Sequence, residues 1–187
     1  PGRHFLLGRL FRSRVEKIDT RGAWFSHPRL LEIVRSGLLG PDAVVLEFGS
    51  FERAIVSIDG RPAGVAGPGL QALWSTIRKI EIERFDARQV RLVRPDLAAV
   101  LTAPGASEQL QSFIVEPHQR GLAILDGAPA IELAPGLHAF WRHVAQVRLF
   151  AVDTREQTLD LGGQEILTAD KVTLRLNAVV NFRVVDP

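Results

Sequence analysis

The chain has 187 residues, 46% hydrophobic and 24% charged, a balance that suits a folded protein with room for one or two buried cores. Its formal net charge is only +2. The pI near 9.7 arises because, without Cys or Tyr, little titrates between His and Lys, so a high pI here is no footprint of nucleic-acid binding. The absence of Cys also excludes a disulfide frame, a thiolate metal site and a thiol nucleophile. No apolar run approaches the roughly eighteen residues that span a bilayer, and no signal peptide is visible.

In chain order, Phe5, Leu6, Leu7, Leu10 and Phe11 form an apolar cluster, and residues 14–19 read as a strand. Residues 26–35 suit a short helix capped by Ser26, with Leu30, Leu31 and Val34 as its buried stripe; Gly37 and Gly40-Pro41 end it. Strands are expected at 43–48 and 53–59, then a turn at Gly60-Arg61-Pro62 and a return at 63–65. Gly67-Pro68-Gly69-Leu70 bends the chain toward Trp74, and 77–85 alternates as a half-buried strand. A second helix is expected over 95–101, stopped by Pro104-Gly105, and further strands over 111–116, 120–126, 131–133 and 147–152.

The chain also repeats itself at a step of 67 residues. Asp59-Gly60-Arg61-Pro62-Ala63 returns as Asp126-Gly127-Ala128-Pro129-Ala130. Pro68-Gly69-Leu70 with Trp74 returns as Pro135-Gly136-Leu137 with Trp141, and Asp86 with Arg88 as Asp153 with Arg155. The same step backwards lands on Pro1-Gly2 and on Asp19 with Arg21. A fixed period of this size predicts tandem modules.

From Val172 to Val184 every even position is apolar, and most odd positions are polar: Thr173, Arg175, Asn177, Asn181 and Arg183. With Leu159 and Leu161 alternating before Gly162-Gly163, and a break at Ala169-Asp170-Lys171, three antiparallel strands with one buried face are expected. The spaced residues Val152-Asp153, Arg155-Glu156-Gln157, Gln164-Glu165, Thr168, Asp170, Val172-Thr173, Asn177-Ala178-Val179-Val180 and Phe182-Arg183-Val184-Val185-Asp186-Pro187 resemble the SPFH (band 7) domain, and within it the stomatins or slipins.

Residues that could carry chemistry have plainer readings beside the sharp ones. Gly60, Gly64, Gly67 and Gly69 lack the following helix that a phosphate cradle needs, so they read as turn glycines. His118, His138 and His143 have neither ligand spacing nor a completing carboxylate. Ser13, Ser26, Ser57, Ser75 and Ser112 lack a nucleophile-elbow context. Trp74 and Trp141 are read as core packing in preference to membrane insertion. The Asp86/Arg88 and Asp153/Arg155 pairs are either surface pairs or contacts between modules or subunits.

The expected fold is α+β and strand-dominated: tandem small β-rich modules leading into the first half of an SPFH domain. Residues 1–50 hold the back half of a first module with a helix and linking strand, 51–117 a complete second module, and 118–187 a third that merges into the truncated SPFH domain. The resemblance implies a non-enzymatic scaffold without cofactor or metal. It implies homo-oligomers, as rings or cages that organise a membrane patch or confine partners such as a membrane protease. Candidate oligomer or inter-module contacts are Asp86, Arg88, Asp153, Arg155, Arg175 and Arg183. It also implies a cytoplasmic location, peripheral to a membrane or anchored by a segment outside these residues. The layout of repeats before an SPFH-like region also resembles major vault protein, a soluble cage. A soluble shell and a monomeric repeat-based binding module are the alternatives.

Overall fold

The computed structural model describes residues 24–75 and 79–186. The apolar cluster at 5–11, the strand expected over 14–19 and the start of the one expected over 77–85 lie outside them. In chain order the elements are β1 (Trp24–Phe25), α1 (Leu30–Arg35), a 3-10 turn (Gly40–Asp42), β2 (Ala43–Phe48), β3 (Glu52–Ile58), β4 (Arg61–Ala66), β5 (Gly69–Trp74) and β6 (Ile80–Asp86). Next come β7 (Arg91–Leu92), α2 (Leu97–Thr102), α3 (Ala106–Gln109), β8 (Leu110–Val115), β9 (Gln119–Leu125), β10 (Ile131–Leu133), β11 (Gly136–Trp141), β12 (Val147–Asp153), β13 (Gln157–Leu167) and β14 (Thr173–Phe182). The class is α+β with strands in the majority.

The chain forms two compact units. Unit one, residues 1–47 with 70–78, contains α1 and the sheet β1-β5-β2, with β5 central. Phe25, Leu46, Ala72 and Leu73 are buried there, and the Phe25 ring lies 5.3 Å from Trp74. The helix begins later than Ser26, and no side chain caps it; the Arg29 N–H donates to Nδ1 of His27 instead. Leu31, expected in the buried stripe, is 50% exposed, while Leu30 and Val34 are half-buried. A helix of under two turns can turn only a narrow face to its sheet.

Unit two, residues 48–69 with 79–187, holds three-stranded sheets ordered β4-β3-β6, β7-β11-β8 and β10-β9-β12, and the two-stranded β13-β14. Its main core joins Ile55 and Val65 of the first sheet to Leu92, Ala139 and Trp141 of the second. Leu97 and Val100 of α2 and Ala106 of α3 complete that core. A smaller cluster, Val115, Ala123, Leu133 and Phe140, joins the second sheet to the third. Each large aliphatic side chain so buried contributes about 1.5–3 kcal/mol. Trp141 is 1% exposed, a core residue.

Several elements stand 67 residues apart with the same local geometry. Asp59 and Gly60 have φ of 51° and 77°, and Asp126 and Gly127 have 50° and 77°. Two consecutive positive φ angles make the tight turn that matches strand twist. The first of these turns therefore lies one residue before the expected Gly60-Arg61-Pro62, and Arg61 and Pro62 already belong to β4, an edge strand where Pro is tolerated. Asp59 closes onto the Lys79 backbone as Asp126 closes onto Gln146. Trp24 opposes Leu73 in the register in which Arg91 opposes Phe140.

The C-terminal stretch differs from expectation in two ways. It has two strands, because Gly162-Gly163 sits inside β13 as a bulge between Leu161 and Gln164; the hairpin turn lies between Leu167 and Thr173. Leu159 and Leu161 are odd-numbered and Ile166 is even, so the bulge's extra residue keeps all three on one face. Neither face is covered: nearly every residue of β13 and β14 is exposed.

Candidate functional site

The sequence candidates fall into two groups. Asp86 ends β6, and the Arg88 side chain folds back on it, with Nε 3.0 Å from both carboxylate oxygens and Nη2 2.7 Å from Oδ2, while the Arg88 N–H donates to Oδ1. Asp153 ends β12 and is held the same way by Arg155, Nη2 lying 2.6 Å from Oδ2. Both pairs are local, two residues apart in the chain. The Arg155 side chain, with its backbone N–H, holds the Asp153 carboxyl down to about 2; Arg88 acts on Asp86 in the same direction. Each bidentate grip uses Nε and Nη2 and leaves the Nη1 edge over.

Arg175 and Arg183 belong to the hairpin region. Arg175 opposes Glu165 on β13, and its guanidinium lies beside Gly163. Arg183 comes just after β14 and lines a shallow cavity with Arg120, Thr154, Val184 and Val185. The structure thus brings Arg183 into the neighbourhood of Thr154, next to the Asp153–Arg155 pair, and sets Arg175 apart on the hairpin.

The more prominent surface is apolar. Paired positions Leu159/Val180, Leu161/Ala178 and Ile166/Leu174, with Leu176 and Phe182, place eight apolar side chains on one face of β13-β14. Leu159, Leu161, Ile166, Leu174, Leu176, Val180 and Phe182 are each between 41% and 53% exposed. The opposite face carries Thr158 hydrogen-bonded to Asn181, Asp160, and Glu165 beside Arg175. Alternation reveals the strands in the sequence, but alternation predicts a face and not what covers it.

Two buried polar groups carry no signal in the sequence. His138, 7% exposed, lies 2.8 Å through Nε2 from the Ala134 carbonyl, with Nδ1 3.0 Å from Nη2 of Arg91. A carbonyl only accepts and a guanidinium only donates, so these partners fix the neutral Nε2–H tautomer. Arg53, 2% exposed, donates Nη1 to the carbonyls of Ser50 and Glu52, and burial lowers its pKa. Among the described residues no group of three or more His, Cys, Asp or Glu could hold a metal ion, and no helix is long and apolar enough to cross a membrane.

Residues 113–187, which include β9 to β14, match the family model described as SPFH domain / Band 7 family. The chain is 40% identical over 74 residues to a stomatin homolog of Pyrococcus horikoshii, and equally so to one of Pyrococcus abyssi. It is 39% identical over 74 residues to an uncharacterized protein of Archaeoglobus fulgidus. Each match covers 40% of this chain and 27–29% of the relative, so the chain spans less than a third of the length of these relatives. The long hairpin and the sheet before it, within residues 113–187, are thus the part of the chain that is similar to the SPFH domain / Band 7 family, and they are stomatin-like.

Proposed function

We propose that this chain is part of a non-enzymatic scaffold whose copies associate into a ring or cage. In that role it organises a membrane patch or confines partner proteins such as proteases. The match of residues 113–187 to the SPFH domain / Band 7 family supports the scaffold role, and one observation carries the association: the open apolar face of β13-β14. Contiguous exposed apolar surface of this kind marks interaction sites, because leaving it in water forgoes its burial energy. Arg175, on the opposite face of the hairpin, and Arg183, just past its last strand, supply polar contacts beside the apolar ones. The Nη1 edges of Arg88 and Arg155, with Asp86 and Asp153 holding them, give the modules a second set.

The test is negative-stain imaging of the full-length protein purified without detergent. Closed rings or cages of uniform diameter are the expected result, and formation without lipid would favour a soluble shell over a membrane-organising scaffold. Monodisperse monomers, with and without liposomes in a flotation assay, would overturn self-association and leave a monomeric binding module.

A further inference from the structure

The outer edge of β8 is open over a short, sharply bounded stretch. In β11 the Trp141 N–H donates to the Val90 carbonyl beside β7, so Phe140, His138 and Gly136 turn their backbone groups toward β8. Their partners there are Gln111, Phe113 and Val115, which leaves Leu110, Ser112 and Ile114 aiming theirs outward. Leu110 is already capped: its N–H donates to the Ala106 carbonyl, and its own carbonyl accepts from Nε of Arg142 at 2.8 Å. Glu116 closes the other end, its N–H donating to Oε1 of Gln119 and its carbonyl accepting the Gln119 N–H. Between these caps, the N–H and C=O of Ser112 and Ile114 have no hydrogen-bond partner among the described residues.

The side chains along this edge complement one another. Ile114 is 69% exposed. Leu110 and Ser112, on its face by strand alternation, border a cavity of about 350 Å³ that Leu101, Ala106, Ser107 and Arg142 also line. Glu116 and Arg142 are both exposed, and neither forms an ion pair among the described residues. The strand one 67-residue step earlier, β2, lacks all three features: Glu47 stands where Ile114 does, Ser75 where Arg142 does and Gly49 where Glu116 does. A charge such as Glu47 keeps an edge from pairing, and β8 has given it up for an isoleucine.

We propose that β8 pairs antiparallel with β8 of a second copy of this chain, about a two-fold axis at Phe113. Ser112 of each copy then faces Ile114 of the other, and every open N–H and C=O between the caps is bonded. Centring the pair on Ser112 or on Ile114 would instead set an open residue against the capped Leu110 or Glu116. In the Phe113 register, Ile114 of each copy enters the cavity of the other, diagonal to Leu110. Glu116 comes opposite Leu110, where Arg142 of the other copy is held, so acid meets base twice. This contact is separate from the open hairpin face and does not depend on it.

The test is sedentation equilibrium on the full chain carrying Leu176→Asp, so that the hairpin face does not contribute. A reversible dimer is expected, and Ile114→Glu should dissociate it. Glu116→Arg sets like charges together at both ends of the contact, as does Arg142→Glu, and each alone should weaken the dimer at least about tenfold. An equimolar mixture of those two variants pairs opposite charges again at both ends and should regain the parent's affinity. Only a contact between copies in this register is rescued by mixing. A parent that stays monomeric, a dimer that Ile114→Glu leaves intact, or a mixture that associates no better than either variant alone overturns the proposal.

Discussion

The sheets β4-β3-β6 and β10-β9-β12 share strand order, register and turn geometry, yet one is buried on both faces and the other on one. In β3 the four consecutive residues Arg53, Ala54, Ile55 and Val56 are all buried, which a strand achieves only with cover on each side. In β9 only Gly121 and Ala123 are buried; Leu122 is half-buried, Arg120 is exposed, and Phe150 on the neighbouring strand is 52% exposed. The difference lies in the chain beyond each sheet. After Asp86 and Arg88 the chain enters Leu92, Leu97 and Val100, which return over the sheet. After Asp153 and Arg155 it runs out into the β13-β14 hairpin. Two similar frames thus acquire different surfaces from the residues past their last strand.

The sharpest way to break this comparison is to truncate equivalent residues. Ile55→Ala should cost about 2–5 kcal/mol in urea unfolding, whereas Leu122→Ala should cost about 1 kcal/mol. Equal costs would mean that the second sheet is covered after all. Gly105→Ala comes next, at about 3 kcal/mol: its φ is +78°, and a Cβ there would lie 2.4 Å from the Val65 carbonyl oxygen. Gly127→Ala, with φ of +77° but open space around it, should cost about 1 kcal/mol; thermal melts of the pair separate steric clash from backbone strain.

Leu176→Asp, on the open hairpin face, should change the stability of the unassociated chain by under about 0.5 kcal/mol. If that face joins copies, the same substitution should lower the mass seen by light scattering. An unchanged assembly would move the contact elsewhere. The smallest effect concerns pH. Asp153 has a folded pKa of about 2, below the ordinary carboxylate value of about 3.9, so its stabilisation is complete above that value and fades as pH falls through 2. Asp153→Asn should therefore lose less stability than the parent between about pH 4 and pH 2 in acid titrations followed by fluorescence. A parent–variant difference constant across that range would show that the Arg155 grip contributes nothing.

Strand positions are legible because alternation and turn residues are local: 43–48 and 131–133 lie where the pattern puts them, and 147–152 falls short by one residue. Partners are not. β5 takes its neighbours from β1 and β2, and β11 from β7 and β8, pairings that no local period encodes. The short α3 is hidden because Gly105, a natural stop, uses its positive φ to start another turn of helix. Gly162-Gly163 misleads for a related reason, since a pair of glycines serves a bulge as well as a turn. As for the candidate surface, its apolar residues are visible in the sequence; their exposure is not, because it depends on what lies opposite.

The central place of β11 has a consequence for synthesis. β7 and β8 bond to β11 and not to each other, whereas β4-β3-β6 is complete once Asp86 has been made. On the ribosome the strand carrying Phe113 and Ile114 therefore emerges before β11, its bonding neighbour among the described residues, exists. At roughly 5–20 residues per second, that edge waits on the order of seconds before Trp141 arrives. During this interval it is the nascent chain's natural target for a chaperone or for a mispaired strand.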